Sequence, residues 1–275
     1  MKIGVWGAGV VGQAIGKALE SKYKVVYYDK YKNKFKKNRS QIRKCEIVFI
    51  CVPTPMKPSG EIDLSIVKSS VEEIDSITER GTICILKSTC IPGTTRSLAQ
   101  QFSRLKLVFN PEFLREKYAF EDARNMNRVI IGTNSRIIYQ KVKRMYKRVF
   151  PAADYFHVTW EEAELIKYFA NVMLAGQIGL ANELYQICQK AGIKYSKIVK
   201  IVLMDKRIGR NINVPGPDGY LGFGGKCFPK DLNALIKFAE KMGYNPELLK
   251  AVWDLNLEVR QTRDWLSIYG AVSEA

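Results

Sequence analysis

The chain has 275 residues, 47% of them hydrophobic and 26% charged, as in a soluble globular protein of about two domains. No apolar run reaches the ~18 residues of a membrane span, and the glycines of the N-terminal MKIGVWGAGVVG exclude a signal-peptide core. A net charge of +17 rests largely on two stretches without an acid, 30–44 and 136–148. Such stretches attract nucleic acid, phosphorylated small molecules or an acidic partner, or serve as a solvated basic face. Neither carries a base-stacking pattern, and the chain has no zinc-finger or recognition-helix signature, so nucleic acid is not the expected partner. The six cysteines include no CxxC pair and His157 is the single histidine. A zinc ribbon, a disulfide scaffold and a histidine-rich metal site are thereby excluded, and a reducing cytoplasm is expected.

In chain order, an apolar strand at 2–6 stops at Gly7 and a helix follows at 10–21. Strands are predicted at 24–29, 47–52, 82–87, 106–109, 128–131 and 155–158. Helices are predicted between them at 63–77 with Asp63 as N-cap, at 92–102 opened by Pro-Gly, and at 136–149. This alternation implies an α/β domain over 1–158, a parallel, doubly wound sheet. From Trp160 to Lys190 the chain runs without proline, with apolar residues at Leu165, Phe169, Val172, Ile178 and Leu184, and predicts one long helix ended by Gly192. Helices at 195–204, 229–241 and 246–265 make 159–275 an all-helical second domain, interrupted by the glycine-rich stretch 215–225.

Gly7, Ala8, Gly9, Val10, Val11 and Gly12 form a GxGxxG turn between the first strand and the first helix. There Gly7 permits the tight turn, Gly9 lets a pyrophosphate approach the backbone, and Gly12 brings helix and strand together. Asp29 ends the second strand, where a carboxylate accepts ribose hydroxyls and repels a 2′-phosphate. The pattern predicts a Rossmann-type domain with NAD as cofactor, although Lys30, Lys32 and Lys34 add positive charge beside Asp29.

The segment GFGGKCFPKD at 222–231 is the most informative in the chain. Pro229 suits the first position of a helix, so Cys227 is expected just before a helix N-terminus, where the dipole, Lys226 and Lys230 would stabilise a thiolate. With GAGVVG, FICVPTP at 49–55, KSTCIPGTT at 87–95, FNPEFLRE at 109–116, ELIKYFANVMLA at 164–175 and MDKRIG at 204–209, this segment resembles the UDP-glucose/GDP-mannose dehydrogenase family over nearly the whole chain.

The resemblance implies NAD-dependent four-electron oxidation of a nucleotide sugar, with UDP-glucose favoured by CFPKD. Cys227 would capture the aldehyde and pass through a thioester, a division of labour suited to a reactive intermediate. It further implies catalytic roles for Lys167 and Asn171, four apart on the long helix, and for Asp231, Glu112 and Thr89. By the same matching Val52, Pro53, Thr54, Ser88, Glu116 and Lys230 join Gly7, Gly9, Val10, Val11, Gly12 and Asp29 at the cofactor. Glu112, Phe113, Leu114, Lys167, Asn171, Arg207, Tyr220, Gly222, Phe223 and Gly224 contact the substrate. Arg207 is matched to an arginine that reaches the partner subunit's substrate, which with the long helix implies a homodimer.

Three departures from the family pattern stand out. Residues between Asp29 and Ile47 form a short basic linker, Lys117 replaces a glycine after Glu116, and a third nucleotide-gripping domain is not represented before Ala275. A natural short form, a fragment and a grip supplied by another chain all fit the last of these. Two other readings stay open: a two-electron hydroxyacid dehydrogenase of the same two-domain plan, and a non-catalytic relative that binds NAD or a partner.

Overall fold

The computed structural model describes residues 1–273. It divides into two compact units: Met1–Thr54 with Leu64–Lys167, and Pro55–Asp63 with the chain from Tyr168 onward. Among the described residues no helix is long and apolar enough to cross a membrane.

In the first unit, strands β1 (Lys2–Trp6), β2 (Lys24–Tyr28), β3 (Ile47–Ile50), β4 (Ile83–Leu86), β5 (Lys106–Phe109), β6 (Arg128–Gly132) and β7 (Asp154–Val158) form one sheet in the order β2-β1-β3-β4-β5-β6-β7. Strands β3 and β4 are buried at every position, as expected of a sheet covered on both faces. One apolar core holds Ile3, Val5, Ile15, Leu19 and Phe49 with Val142 and Tyr146, and the other holds Val48, Ile50, Val67, Val71, Ile74 and Leu86. Helix α1 (Val10–Leu19) buries Ala14, Ile15, Ala18 and Leu19, the apolar side of its repeat.

The expectation of a wholly parallel sheet needs correction. Strands β1 to β5 are parallel, but β6 meets β5 antiparallel through the single register pair Phe109–Gly132, and β7 then runs parallel to β6. The β5–β6 connection contains a 3₁₀ turn and only the six-residue helix α6 (Ala119–Arg124). At 1.5 Å per residue α6 spans ~9 Å, too short to carry the chain back along the sheet, so β6 begins beyond the carboxyl end of β5 and runs back toward it, its last residue Gly132 pairing with Phe109, the last of β5. The twelve-residue α7 (Arg136–Lys147) is long enough to cross, and β6 and β7 are parallel.

Smaller corrections follow. The basic linker after Asp29 contains two single-turn helices, α2 (Asn33–Lys36) and α3 (Arg39–Ile42), with Ile42 fully buried. Helix α4 (Ser65–Ile77) has Leu64, not Asp63, at the N-cap position, and the Asp63 backbone N–H donates to Pro55 O in a small ladder that pairs Met56 with Ile62. Helix α5 (Thr94–Gln101) starts after Gly93, which has φ +93°.

The long helix is α8 (Trp160–Lys190), with the predicted bounds. Its Glu164 is fully buried and takes over the capping of α5: Oε2 accepts Gly93 N–H at 2.7 Å, and Oε1 accepts Thr95 N–H at 2.8 Å and the Thr95 hydroxyl at 2.6 Å. The second unit consists of the remainder of α8 together with α9 (Tyr195–Val202), α10 (Phe228–Lys241) and α11 (Glu247–Val259). The last helix ends before the predicted Trp265, because the chain turns extended at Arg260 and a 3₁₀ turn covers Asp264–Leu266.

Burial pushes Glu164 up to about 7 despite three hydrogen bonds that favour its ionised form. The folded state therefore holds more protons than the unfolded one between about pH 4.5 and 7, and stability falls as pH rises through that window. Glu164→Gln is expected to be less stable at low pH by about 1 kcal/mol, through one mismatched donor, and to lose most of that decline. Urea unfolding at pH 5, 6, 7 and 8 checks both.

Candidate active site

The carboxyl ends of β1 to β5 gather the residues singled out in the first unit. Gly7 has φ +96°, and a side chain there would press on Cys51 O at 2.6 Å. A Cβ at Gly12 would collide with Gly7 O, which fixes the approach of α1 to the turn. Beside Gly9 there is open space with no atom within 4 Å of an added Cβ. Gly9 is also the N-cap of α1 and has no side-chain cap, so the first N–H groups of the helix, at Val10 and Val11, face outward. A pyrophosphate fits that cradle.

Asp29 accepts Ala8 N–H at 2.9 Å through Oδ2, and Tyr31 and Lys32 N–H at 3.0 and 3.1 Å through Oδ1. Of about four acceptor positions on a carboxylate, one is left for a ribose hydroxyl, fewer than the two expected. Lys32 Nζ donates to Ala8 O at 2.7 Å, which brings a cation to the same spot. At the end of β3, Thr54 is buried and Pro53 exposed. The neighbouring Ser88 is buried at the end of β4 and donates to Val52 O at 2.7 Å. Glu116 and Lys117 are exposed in the 3₁₀ turn, and Thr89 is buried.

After β5, Glu112 is tied to α8. Lys167 Nζ donates to Glu112 O at 2.8 Å and pairs with Oε1 at 2.9 Å, while Oε2 accepts Leu114 N–H at 2.8 Å. Both side chains are largely out of solvent, at 5% and 13% exposure, so each charge depends on the other. The same ammonium lies 5.7 Å from the Phe113 ring centre. Sequence reasoning missed a second buried network here. Lys87 Nζ donates to Asn110 Oδ1 at 2.8 Å, Tyr146 donates to that oxygen at 2.6 Å, and Asn110 Nδ2 reaches Ile130 O at 2.6 Å. Burial lowers Lys87 to about 8. The available signal was a lysine and an asparagine directly ending two apolar strands.

In the second unit, Cys227 is exposed and is the N-cap of α10. Phe228 is the first helical residue and Pro229 the second, one place later than expected, because proline's missing N–H costs nothing anywhere in the first turn. The other cysteines are buried or half-buried, and burial pushes the Cys45 and Cys51 thiols up to about 11 and about 12. Lys230 has a carboxylate partner on its own helix. It is buried and paired with Asp231, whose other oxygen accepts Asn171 Nδ2 at 2.5 Å. Asp231 is thus held from α8 and from its own helix, one turn past Cys227.

The glycine-rich loop before Cys227 is shaped by side chains absent from the sequence expectations. Gly222 N–H donates to Asn182 Oδ1 at 2.9 Å and Phe223 N–H to Asn256 Oδ1 at 2.7 Å, while Asn256 Nδ2 returns to Phe223 O at 3.0 Å. Gly225 N–H donates to Asp264 Oδ2 at 2.8 Å, and the buried Arg260 bridges Asp264, Asp218 and Leu221 O. A Cβ at Gly222 or Gly224 would collide with Asn256 or Arg260. Arg207 is exposed and its guanidinium grips Asp205, and Tyr220 is exposed with Arg260 stacked 5.5 Å from its ring.

Residues 29–150 match the NAD-binding domain of the UDP-glucose/GDP-mannose dehydrogenase family, and residues 161–258 its central domain. The chain belongs to that family and carries its NAD-binding domain. It is 37% identical over 228 residues to UDP-glucose 6-dehydrogenase TuaD of Bacillus subtilis, a match covering 80% of this chain and 48% of that protein. It is 35% identical over 219 residues to UDP-glucose 6-dehydrogenase of Rickettsia prowazekii, covering 78% of this chain and 49% of the relative. The chain thus spans about half the length of these relatives. Among solved structures, a UDP-glucose dehydrogenase from Pyrobaculum islandicum superposes with a TM-score of 0.83 at 29% identity, over 94% of this chain and 68% of the other.

If Asp29 is the ribose acceptor that the sequence predicts, removing its carboxylate leaves Lys32 available to a 2′-phosphate. Asp29→Ala is expected to weaken NAD binding about tenfold, one charged hydrogen bond's worth, while NADP loses less. Fluorescence titration with both dinucleotides reads the ratio.

Proposed function

We propose that this chain is the catalytic part of an NAD-dependent dehydrogenase that oxidises the primary alcohol of a nucleotide sugar, UDP-glucose first, to the carboxylate. The observation that carries this reading is Cys227: exposed, at the start of α10, and fixed by a loop whose backbone is bonded to buried asparagine and half-buried aspartate side chains. A cysteine kept only for packing does not need such a setting.

The cradle at Gly9 and the carboxylate of Asp29 would hold NAD⁺, which when bound supplies the hydride acceptor for both oxidations. The chain's own groups do the rest. The sulfur of Cys227 forms a C–S bond to the aldehyde carbon, giving a thiohemiacetal whose oxygen takes up a proton. After the second oxidation the group is a thioester. Water attacks its carbonyl, the C–S bond breaks, and the electron pair returns to sulfur as the carboxylic acid loses its proton. Lys167 supplies positive charge for the developing oxyanion and Asn171 a hydrogen bond. Glu112 and Asp231 are the carboxylates for moving protons and orienting water, and Thr89 assists with that water. Val52, Pro53, Thr54, Ser88, Glu116 and Lys230 are assigned to the cofactor. Phe113, Leu114, Arg207, Tyr220, Gly222, Phe223 and Gly224 are assigned to the sugar nucleotide.

A homodimer is part of the same reading. Within the second unit α8 exposes Met173, Leu180, Leu184 and Ile187, a stripe at spacings of seven, four and three that suits a helix face covered by another copy.

Cys227→Ala is expected to lower NADH formation with UDP-glucose by at least a thousandfold with NAD binding intact. Two NADH per sugar from this variant, or none from the unaltered chain with any sugar nucleotide, would sink the proposal. Leu180→Glu/Leu184→Glu is expected to convert the dimer to a monomer in light scattering.

A further inference from the structure

The reading above leaves the net charge of +17 without a role, and in the structure both basic stretches reach one cavity. It has a volume of about 530 Å³ and lies wholly within the first unit, at the amino ends of β1, β3 and β4, where Met1, Glu46, Ile47, Thr82 and Ile83 line it. The glycine turn and Ser88 stand at the opposite, carboxyl ends of the same strands, ~15 Å away at about 3.3 Å per residue. Arg43 and Lys44 come from the stretch after β2, Lys141, Arg144 and Arg148 from α7, and Arg80 from the turn after α4.

All six basic side chains are exposed, and none takes part in an ion pair among the described residues. Of the two carboxylates in the lining, Glu46 is engaged by the N-terminal amine at 3.6 Å, which leaves Glu79. Three helix ends are close, since Arg43 and Arg148 are the C-caps of α3 and α7 and Arg80 follows α4. Each end supplies only about half a negative charge, so an excess of about three positive charges remains. Complementing helix ends therefore does not account for the cluster, and like charges gathered around one cavity repel.

We propose that this cavity binds a short polyphosphate chain of two or three phosphates, free or as part of a nucleotide. A triphosphate carries about the charge that is missing, and guanidinium forks from Arg43, Arg80, Arg144 and Arg148 suit phosphate oxygens. The volume lies in the range of small-molecule sites. Tyr23, the lining's one aromatic residue, is buried with its hydroxyl on Met145 O at 3.0 Å. The lining thus offers no face on which to stack bases, which disfavours single-stranded nucleic acid. The site is separate from the dinucleotide cradle and does not depend on the dehydrogenase reading.

The test is calorimetric titration of inorganic tripolyphosphate into the chain saturated with NAD, which blocks the Gly9 cradle. One-site binding is expected, weakened at least tenfold in Arg144→Ser/Arg148→Ser and within twofold of normal in Lys36→Ser/Lys37→Ser, whose residues lie outside the cavity. Circular dichroism and unchanged NAD affinity show that the surface substitutions leave the fold intact. Tighter binding of ATP or UTP than of tripolyphosphate, with the same response to the arginine variant, also supports the proposal and identifies a nucleotide as the source. No binding at millimolar tripolyphosphate overturns it, as does equal weakening in both variants. A single-stranded RNA that binds more tightly than tripolyphosphate and loses affinity equally in both variants overturns it too, because the charge then acts as a diffuse surface.

Discussion

A row of polar side chains along one side of α8 must be satisfied away from water, and much of the candidate site depends on that. Glu164, Lys167 and Asn171 are buried at successive spacings of three and four, so they share a helix face. Each is bonded to a different segment: Glu164 to the start of α5, Lys167 to Glu112 beyond β5, and Asn171 to Asp231 on α10. An unpartnered carboxylate or ammonium at such a depth costs several kcal/mol. Within each unit the helix therefore holds its own partner in place.

The first turns of α8 also explain why a glycine ends β6. A Cβ at Gly132 would lie 2.5 Å from Ala163 Cβ and 3.0 Å from Thr159 O. Close passage of helix start and strand end leaves no room for a side chain, and it lets Glu164 reach α5. The same economy governs the glycines of the cofactor turn and of the loop before Cys227. In both, missing side chains let backbone N–H groups meet an oxygen: a fitted pyrophosphate at Gly9, and the amide and carboxylate oxygens of Asn182, Asn256 and Asp264 before the cysteine.

Charge is distributed unevenly in this chain. Buried cations, Lys167, Lys230 and Arg260, are paired with carboxylates, and Lys87 is held by an asparagine. Among the described residues the six lysine and arginine side chains around the amino-edge cavity have no such partners, although several acids lie elsewhere on the surface. That contrast, rather than the total of +17, is what the proposed polyphosphate site rests on.

Local sequence determined the elements themselves. The 31-residue α8, the glycine turn with its αN-terminal cradle and the placement of Cys227 at a helix start all follow from short-range steric and capping rules. The motifs then pointed to candidate reacting groups. What depended on distant chain segments could not be read that way. The reversal of β6 follows from the reach of α6 across a sheet of given height, and the pairing of Lys230 follows from Asp231 being buried beside it. Asn182, Asn256 and Arg260 look like ordinary helix residues until the loop they hold is brought against them. Periodicity and capping act over a few residues and are written in the sequence. Which buried charge finds which partner is settled only when packing removes the water that would otherwise serve them all.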